Sequence, residues 1–141
     1  MTTTRQPLIE SAASLAFRVD SFSMPDAARE EFEAAMRRNM AFIETLPGFR
    51  GHVVLEKTSG PTTFNVVTIA AWESREALEK AAVKVRAYYQ KIGFDRSAML
   101  ARWGARLELG TFQEWRTRGL TPRAASPSAD HDRVTKDRRG S

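Results

Sequence analysis

The order of elements in this sequence predicts an α+β fold, β-α-β-β-α-β, in which four antiparallel strands carry both helices on one face of the sheet. Three observations predict it. Leu46-Pro47-Gly48-Phe49 turns out of an amphipathic helix into a strand, Ala71-Trp72-Glu73-Ser74 turns out of a second strand into another helix, and period-2 runs lie on either side of this central unit.

Leu15, Phe17, Val19 and Ser21 alternate with Ala16, Arg18, Asp20 and Phe22, which predicts the first strand. Ser23 is the expected cap of the helix that follows, with Asp26 at its third position and Pro25 tolerated in the first turn, where a missing N–H costs nothing. Phe32, Met36, Met40, Ile43 and Leu46 recur at helical spacing, with acidic residues early and Arg37 and Arg38 later. Pro47-Gly48 stops this helix. A strand through Phe49, Val53, Val54 and Leu55, a turn at Ser59-Gly60-Pro61 and a partner strand over Phe64–Trp72 form the hairpin.

Ser74 is the expected N-cap of the second helix, whose stripe is Ala77, Leu78, Ala81, Val85, Tyr88 and Ile92 and whose stop is Gly93. A short helical turn over Asp95–Trp103 precedes a last strand through Leu107 and Leu109, with Gly110 a candidate bulge. Residues 1–12 are expected to be flexible, 13–116 to form the domain, and 117–141 to be a disordered basic tail.

The hairpin strand Phe-Asn-Val-Val-Thr-Ile-Ala-Ala-Trp is apolar on both faces, yet the helices cover only one. An apolar sheet face in water marks an interface or a binding site, and a two-fold homodimer with sheet packed on sheet is the economical expectation, leaving a pocket between each sheet and its helices.

Composition narrows the chemistry. The 141 residues contain no cysteine, which removes disulfides, thiolate metal sites and Cys nucleophiles, and two histidines, His52 and His131, too few for a His-built metal site. The net charge is +5, but residues 1–116 carry only +2 of it and the tail carries +3. That division points to a solvated tail or weak anion contact rather than a nucleic-acid surface. Residues 1–10 have no apolar signal region and no stretch reaches membrane-spanning length, so the expected location is the cytoplasm, without membrane partners.

Over about residues 15–115 the chain resembles the antibiotic biosynthesis monooxygenase family of the dimeric α/β-barrel superfamily. The resemblance rests on Leu46-Pro47-Gly48-Phe49-Arg50-Gly51, on Ala71-Trp72-Glu73-Ser74-Arg75-Glu76-Ala77 and on the helix that follows. It implies a ferredoxin-like homodimer, often an oxygenase of aromatic polyketide or quinol substrates that uses dioxygen as co-substrate without metal or flavin. Such chemistry asks little of a protein. A deprotonated phenol or anthrol itself gives an electron to dioxygen, so the site must desolvate the ring, stack it and favour its anion.

Trp72 is the candidate stacking wall, or else a core indole at a strand end. Oxygenases similar to this chain carry Asn four residues before that Trp, where this chain has Thr68; Asn65, seven before, points to the other face of a regular strand. Haem-degrading relatives place a His about ten residues after the Trp, where this chain has Ala82, so haem is not expected. The candidate catalytic groups are His52, as a base near neutral pH, and Asn65. The candidate substrate contacts are Trp72, Thr68, Tyr88 and Arg86, although His52 and Arg86 also read as ordinary surface residues. Tyr88 and its neighbour Tyr89 point about 100° apart on the helix, so that one of the two packs on the sheet with its hydroxyl toward the pocket. The functional expectation is a cofactor-independent monooxygenase of a small aromatic. The alternatives are a non-catalytic ligand-binding or stress-response protein of the same fold, and a partner-binding protein acting through its tail.

Overall fold

The computed structural model describes residues 14–115; the segments expected to be flexible, 1–12 and 117–141, lie outside them. The elements are β1 (Ala16–Ser23), a single 3-10 turn at Asp26–Ala28, α1 (Arg29–Ile43), β2 (Phe49–Glu56), β3 (Val66–Trp72), α2 (Arg75–Ile92), α3 (Arg96–Trp103) and β4 (Arg106–Gln113). The strands form one open sheet in the order β2-β3-β1-β4, every pair antiparallel. This is the ferredoxin-like arrangement, with a third short helix added.

Several local expectations meet a different outcome. Ser23 belongs to β1, paired with Arg106 of β4, so it is not available as a helix cap. Pro25 takes the cap position instead, extended and without a side-chain hydrogen bond. Leu46 lies beyond α1, because the proline after it disfavours helical backbone, but its side chain still reaches the core. The pairing of β1 with β4 runs unbroken through Val19 and Gly110, so Gly110 is not a bulge. The irregularity falls in β2, where the register slips between Phe49 and Gly51.

Other signals act as expected. Ser74 caps α2, its Oγ accepting from the Ala77 amide at 3.0 Å, and the short helical turn expected at Asp95–Trp103 forms as α3, where Asp95 adds a cap of its own, its Oδ1 accepting from the Ala98 amide at 3.1 Å. The two motifs that carry the family resemblance also touch. The Gly48 carbonyl accepts from the Glu73 amide at 2.8 Å, and Gly48 packs against Ala77 in the first turn of α2. The turn into β2 and the turn out of β3 are thereby joined.

Alternation along the strands assigns two faces. Toward the helices point Ala16, Arg18, Asp20 and Phe22 of β1 and, directly opposite, Trp72, Ala70, Thr68 and Val66 of β3. Two apolar clusters fill the ends of this face. One gathers Ala16, Leu46, Trp72, Leu78 and Ala81; the other gathers Phe22, Met24, Ala28, Phe32 and Val66, with Trp103 edge-on to Phe32. The opposite face has Phe17, Val19, Val67 and Ile69 at its centre and Val53, Leu55 and Phe112 toward its edges. Among the described residues no element covers it, and Leu55 and Phe112 are 47% and 56% exposed.

Asn65 joins β1 to β3 just past the end of their ladder. Its Oδ1 accepts from the Met24 amide and its Nδ2 donates to the Met24 carbonyl, both at 2.8 Å, while its own amide donates to the Phe22 carbonyl at 2.9 Å. Asn65→Ala is therefore expected to lower stability by about 1–3 kcal/mol, read from the urea midpoint, because the Met24 groups lose both side-chain partners. An unchanged midpoint would show that water replaces the amide without cost.

Candidate functional site

The inward row of β1 is apolar at its ends and charged in its middle. Arg18 and Asp20 are two residues apart, so both side chains point at the helices, and Arg18 Nε donates to Asp20 Oδ1 at 2.8 Å. Their side chains are 29% and 20% exposed. Charges at the centre of a central strand lose hydration that the pairing repays only in part, so fold stability alone does not account for them. Opposite them on β3 stand Thr68 and Ala70, too short to fill the space.

A cavity of about 640 Å³ results between the two apolar clusters. Its floor is Arg18, Asp20, Thr68 and Ala70, Trp72 closes one end, and α1 contributes Met40 and Ile43. From α2 come Ala81, Ala82, Val85, Arg86 and Tyr89, while the segment Gly93–Ser97 forms the rim. The volume lies within the range of about 300–1,000 Å³ usual for small-molecule pockets. A second depression of about 590 Å³, beside Leu15, Arg75, Glu79 and Gln113, has no comparable inward-facing charged pair.

Tyr89 is the half-buried phenol of this cavity, its ring edge-on to Phe94 at 4.9 Å. Burial pushes its pKa above the ordinary tyrosine value, and the positive charge of Arg96 opposes the shift. The hydroxyl therefore stays protonated through neutral pH and is available as a hydrogen-bond donor.

Of the residues singled out in the sequence, Trp72, Thr68 and Arg86 line the cavity together. Trp72 is only 4% exposed and packs edge-on against Phe49 at 5.4 Å, so it is a core residue that also presents a surface to the cavity. The other three are not part of its lining. Tyr88 stacks on Phe42, rings parallel at 4.1 Å, and its neighbour Tyr89 turns into the cavity instead. His52 is exposed on the edge strand β2, opposite Ala70, and Asn65 is tied to Met24. Arg18 and Asp20 were not among the sequence candidates, and of the adjacent Tyr88 and Tyr89 it is the second that lines the cavity. Arg18 and Asp20 share one alternating row of β1 with the apolar Ala16 and Phe22, and it is the burial of those two residues in the cores that turns the row inward.

Residues 17–82 match the model of the antibiotic biosynthesis monooxygenase family. The matched stretch runs from Phe17 in β1 to Ala82 in α2. Among solved structures, the chain is similar to SnoaB, a cofactor-independent oxygenase from Streptomyces nogalater, at 27% identity and a TM-score of 0.53, over 75% of this chain and 98% of that one. A candidate monooxygenase from Shewanella loihica PV-4 aligns at 17% identity and a TM-score of 0.57, covering 74% and 97% of the two chains. A candidate antibiotic biosynthesis monooxygenase from Nitrosomonas europaea aligns at 16% identity and 0.54, covering 72% and 91%. The last two likenesses concern the fold. No curated protein sequence matches the chain.

Among the described residues no three His, Cys, Asp or Glu side chains gather into a set suited to a metal ion, and no helix is long and apolar enough to cross a membrane.

Proposed function

We propose that the domain is a cofactor-independent monooxygenase that takes a small electron-rich aromatic, of quinol or polyketide type, into the cavity between sheet and helices. The observation that carries this reading is the cavity itself, where the Trp72 wall meets an inward Arg18–Asp20 pair and the Tyr89 hydroxyl. The likeness to SnoaB, an oxygenase described as cofactor-independent, supports it.

In the proposed reaction the ring lies against Trp72. Asp20 accepts the proton of a substrate hydroxyl or of its keto tautomer, and Tyr89, Thr68 and the Arg18 guanidinium favour the resulting anion. The anion gives one electron to dioxygen, the radical pair closes a carbon–oxygen bond, and the resulting peroxide anion takes back the proton held by Asp20 to become a hydroperoxide. The O–O bond then breaks as the hydrogen on that carbon leaves, giving a carbonyl and water. For anthrone the balance is one dioxygen consumed, one quinone and one water formed, every electron coming from the substrate. The roles first given to His52, Asn65 and Tyr88 pass in this proposal to Asp20 and Tyr89, while Trp72, Thr68 and Arg86 keep theirs as substrate contacts.

The test is oxygen uptake by chelator-treated protein with anthrone as substrate. Tyr89→Phe is expected to lower kcat by about 10²-fold through loss of one donor to the anion. A Tyr89→Phe rate equal to wild type would remove the phenol from the mechanism. The non-catalytic alternative is favoured by one observation, that Thr68 stands where similar oxygenases carry Asn; it requires the same cavity to bind the ring without any oxygen uptake.

We also propose that the sheet face of Phe17, Val19, Val67 and Ile69 packs against a second copy of the chain, which would complete a dimeric barrel from two open sheets. Support comes from the apolar character of that face and the absence of any described element over it. Ile69→Arg is expected to sediment as a monomer where the wild type sediments as a dimer. A monomeric wild type at about 1 mM (the free energy there corresponds to about −4 kcal/mol) would end the dimer proposal.

A further inference from the structure

The charges of the cavity do not balance once their partners are assigned. Asp20 is engaged with Arg18 Nε, and Asp95 is engaged in capping α3. Of the three arginines that line the cavity, Arg86 and Arg96 have no ion-pair partner among the described residues. Arg18 uses only Nε on Asp20, and among the described residues no acceptor meets its two Nη groups. Those Nη groups are the forked edge of a planar donor set that a carboxylate matches with two parallel hydrogen bonds. They stand at the cavity floor beside Thr68 and Ala70, where a neutral ring would strip water from them and return nothing.

We infer that the cavity is built for an aromatic acid, a ring that carries a carboxylate, with the carboxylate held on the Nη edge of Arg18 and the ring against Trp72. The inference rests on the aromatic reading of the cavity and adds the charge of its substrate. Asp20 is in this respect a positioning residue, because it fixes the guanidinium by its Nε side and leaves the other edge turned to the ligand. Arg86 and Arg96 at the mouth raise the local concentration of anions and set the direction of approach.

The experiment is calorimetric titration of the full chain with two probes of nearly the same shape, 1-naphthoate and the neutral 1-naphthamide. The wild type is expected to bind the acid at least about tenfold more tightly than the amide, as charge-assisted bonds replace neutral ones. In Arg18→Gln that preference is expected to fall to about one while amide binding persists, since the ring contacts remain. Arg18→Lys keeps a cation beside Asp20 and loses only the planar fork, so it is expected to fold even if the glutamine variant does not, and to retain a reduced preference. Equal affinity of the two probes for the wild type would overturn the inference and leave the aromatic reading standing. A preference that survives unchanged in Arg18→Lys would overturn the Arg18 assignment. Binding of neither probe would overturn both the inference and the aromatic reading on which it rests.

Discussion

Gly48→Ala is expected to destabilise the domain by about 2–4 kcal/mol, the sum of a backbone and a packing term. Gly48 has φ +87°, where an L side chain crowds the following carbonyl, at about 1–2 kcal/mol. A Cβ there would also stand 2.6 Å from the Cβ of Ala77, inside any real contact distance, and 3.4 Å from Cγ of Glu73. Ala77 cannot retreat easily, because its amide is held by the Ser74 cap and the Glu73 amide is held by the Gly48 carbonyl. Urea unfolding of Gly48→Ala with and without Ala77→Gly separates the terms. In the glycine background the packing part should vanish and the backbone part remain. The same loss in both backgrounds would mean that the two motifs do not bear on each other.

Trp72→Ala is expected to cost about 3–5 kcal/mol, the usual range for emptying a core of an indole. The ring is almost fully buried against Phe49, Leu46 and Leu78. Against a total stability of about 5–15 kcal/mol, such a loss lowers the folded population, so reduced activity in this variant does not by itself report substrate stacking. Trp72→Phe keeps an aromatic in the core at a smaller cost and is the variant in which binding and stability can be read apart. A Trp72→Ala midpoint equal to that of the wild type would contradict the core assignment.

The architecture was legible because its signals are local. The Ser74 cap, the glycine after α2 and the proline-glycine stop at 47–48 each act within a few residues, and they placed the helices and the hairpin close to where they stand. The site was less legible because it depends on which strand face the helices cover. Period-2 alternation divides β1 into two rows but does not say which row is inward, so Arg18 and Asp20 read as an ordinary polar row until Ala16 and Phe22 were seen in the two cores. The choice between Tyr88 and Tyr89 turned on about 100° of helix rotation, and the stacking of Tyr88 on Phe42 decided it. Asn65 is a catalytic candidate in the sequence as the amide nearest to the position, four residues before Trp72, where similar oxygenases carry Asn, whereas in the structure its amide extends the pairing of β1 with β3.

The central claim, that the space above Arg18 and Asp20 is where an aromatic ring meets dioxygen, is tested most directly by isotope labelling in a cavity-filled variant. Ala82 lines the cavity from α2, and Ala82→Trp places an indole in that space without touching the ion pair. With oxygen-18 dioxygen and anthrone, the chelator-treated wild type is expected to form quinone carrying one labelled oxygen, faster than the uncatalysed reaction, and Ala82→Trp is expected to fall to the uncatalysed rate. Labelled quinone formed by Ala82→Trp at the wild-type rate would contradict the claim.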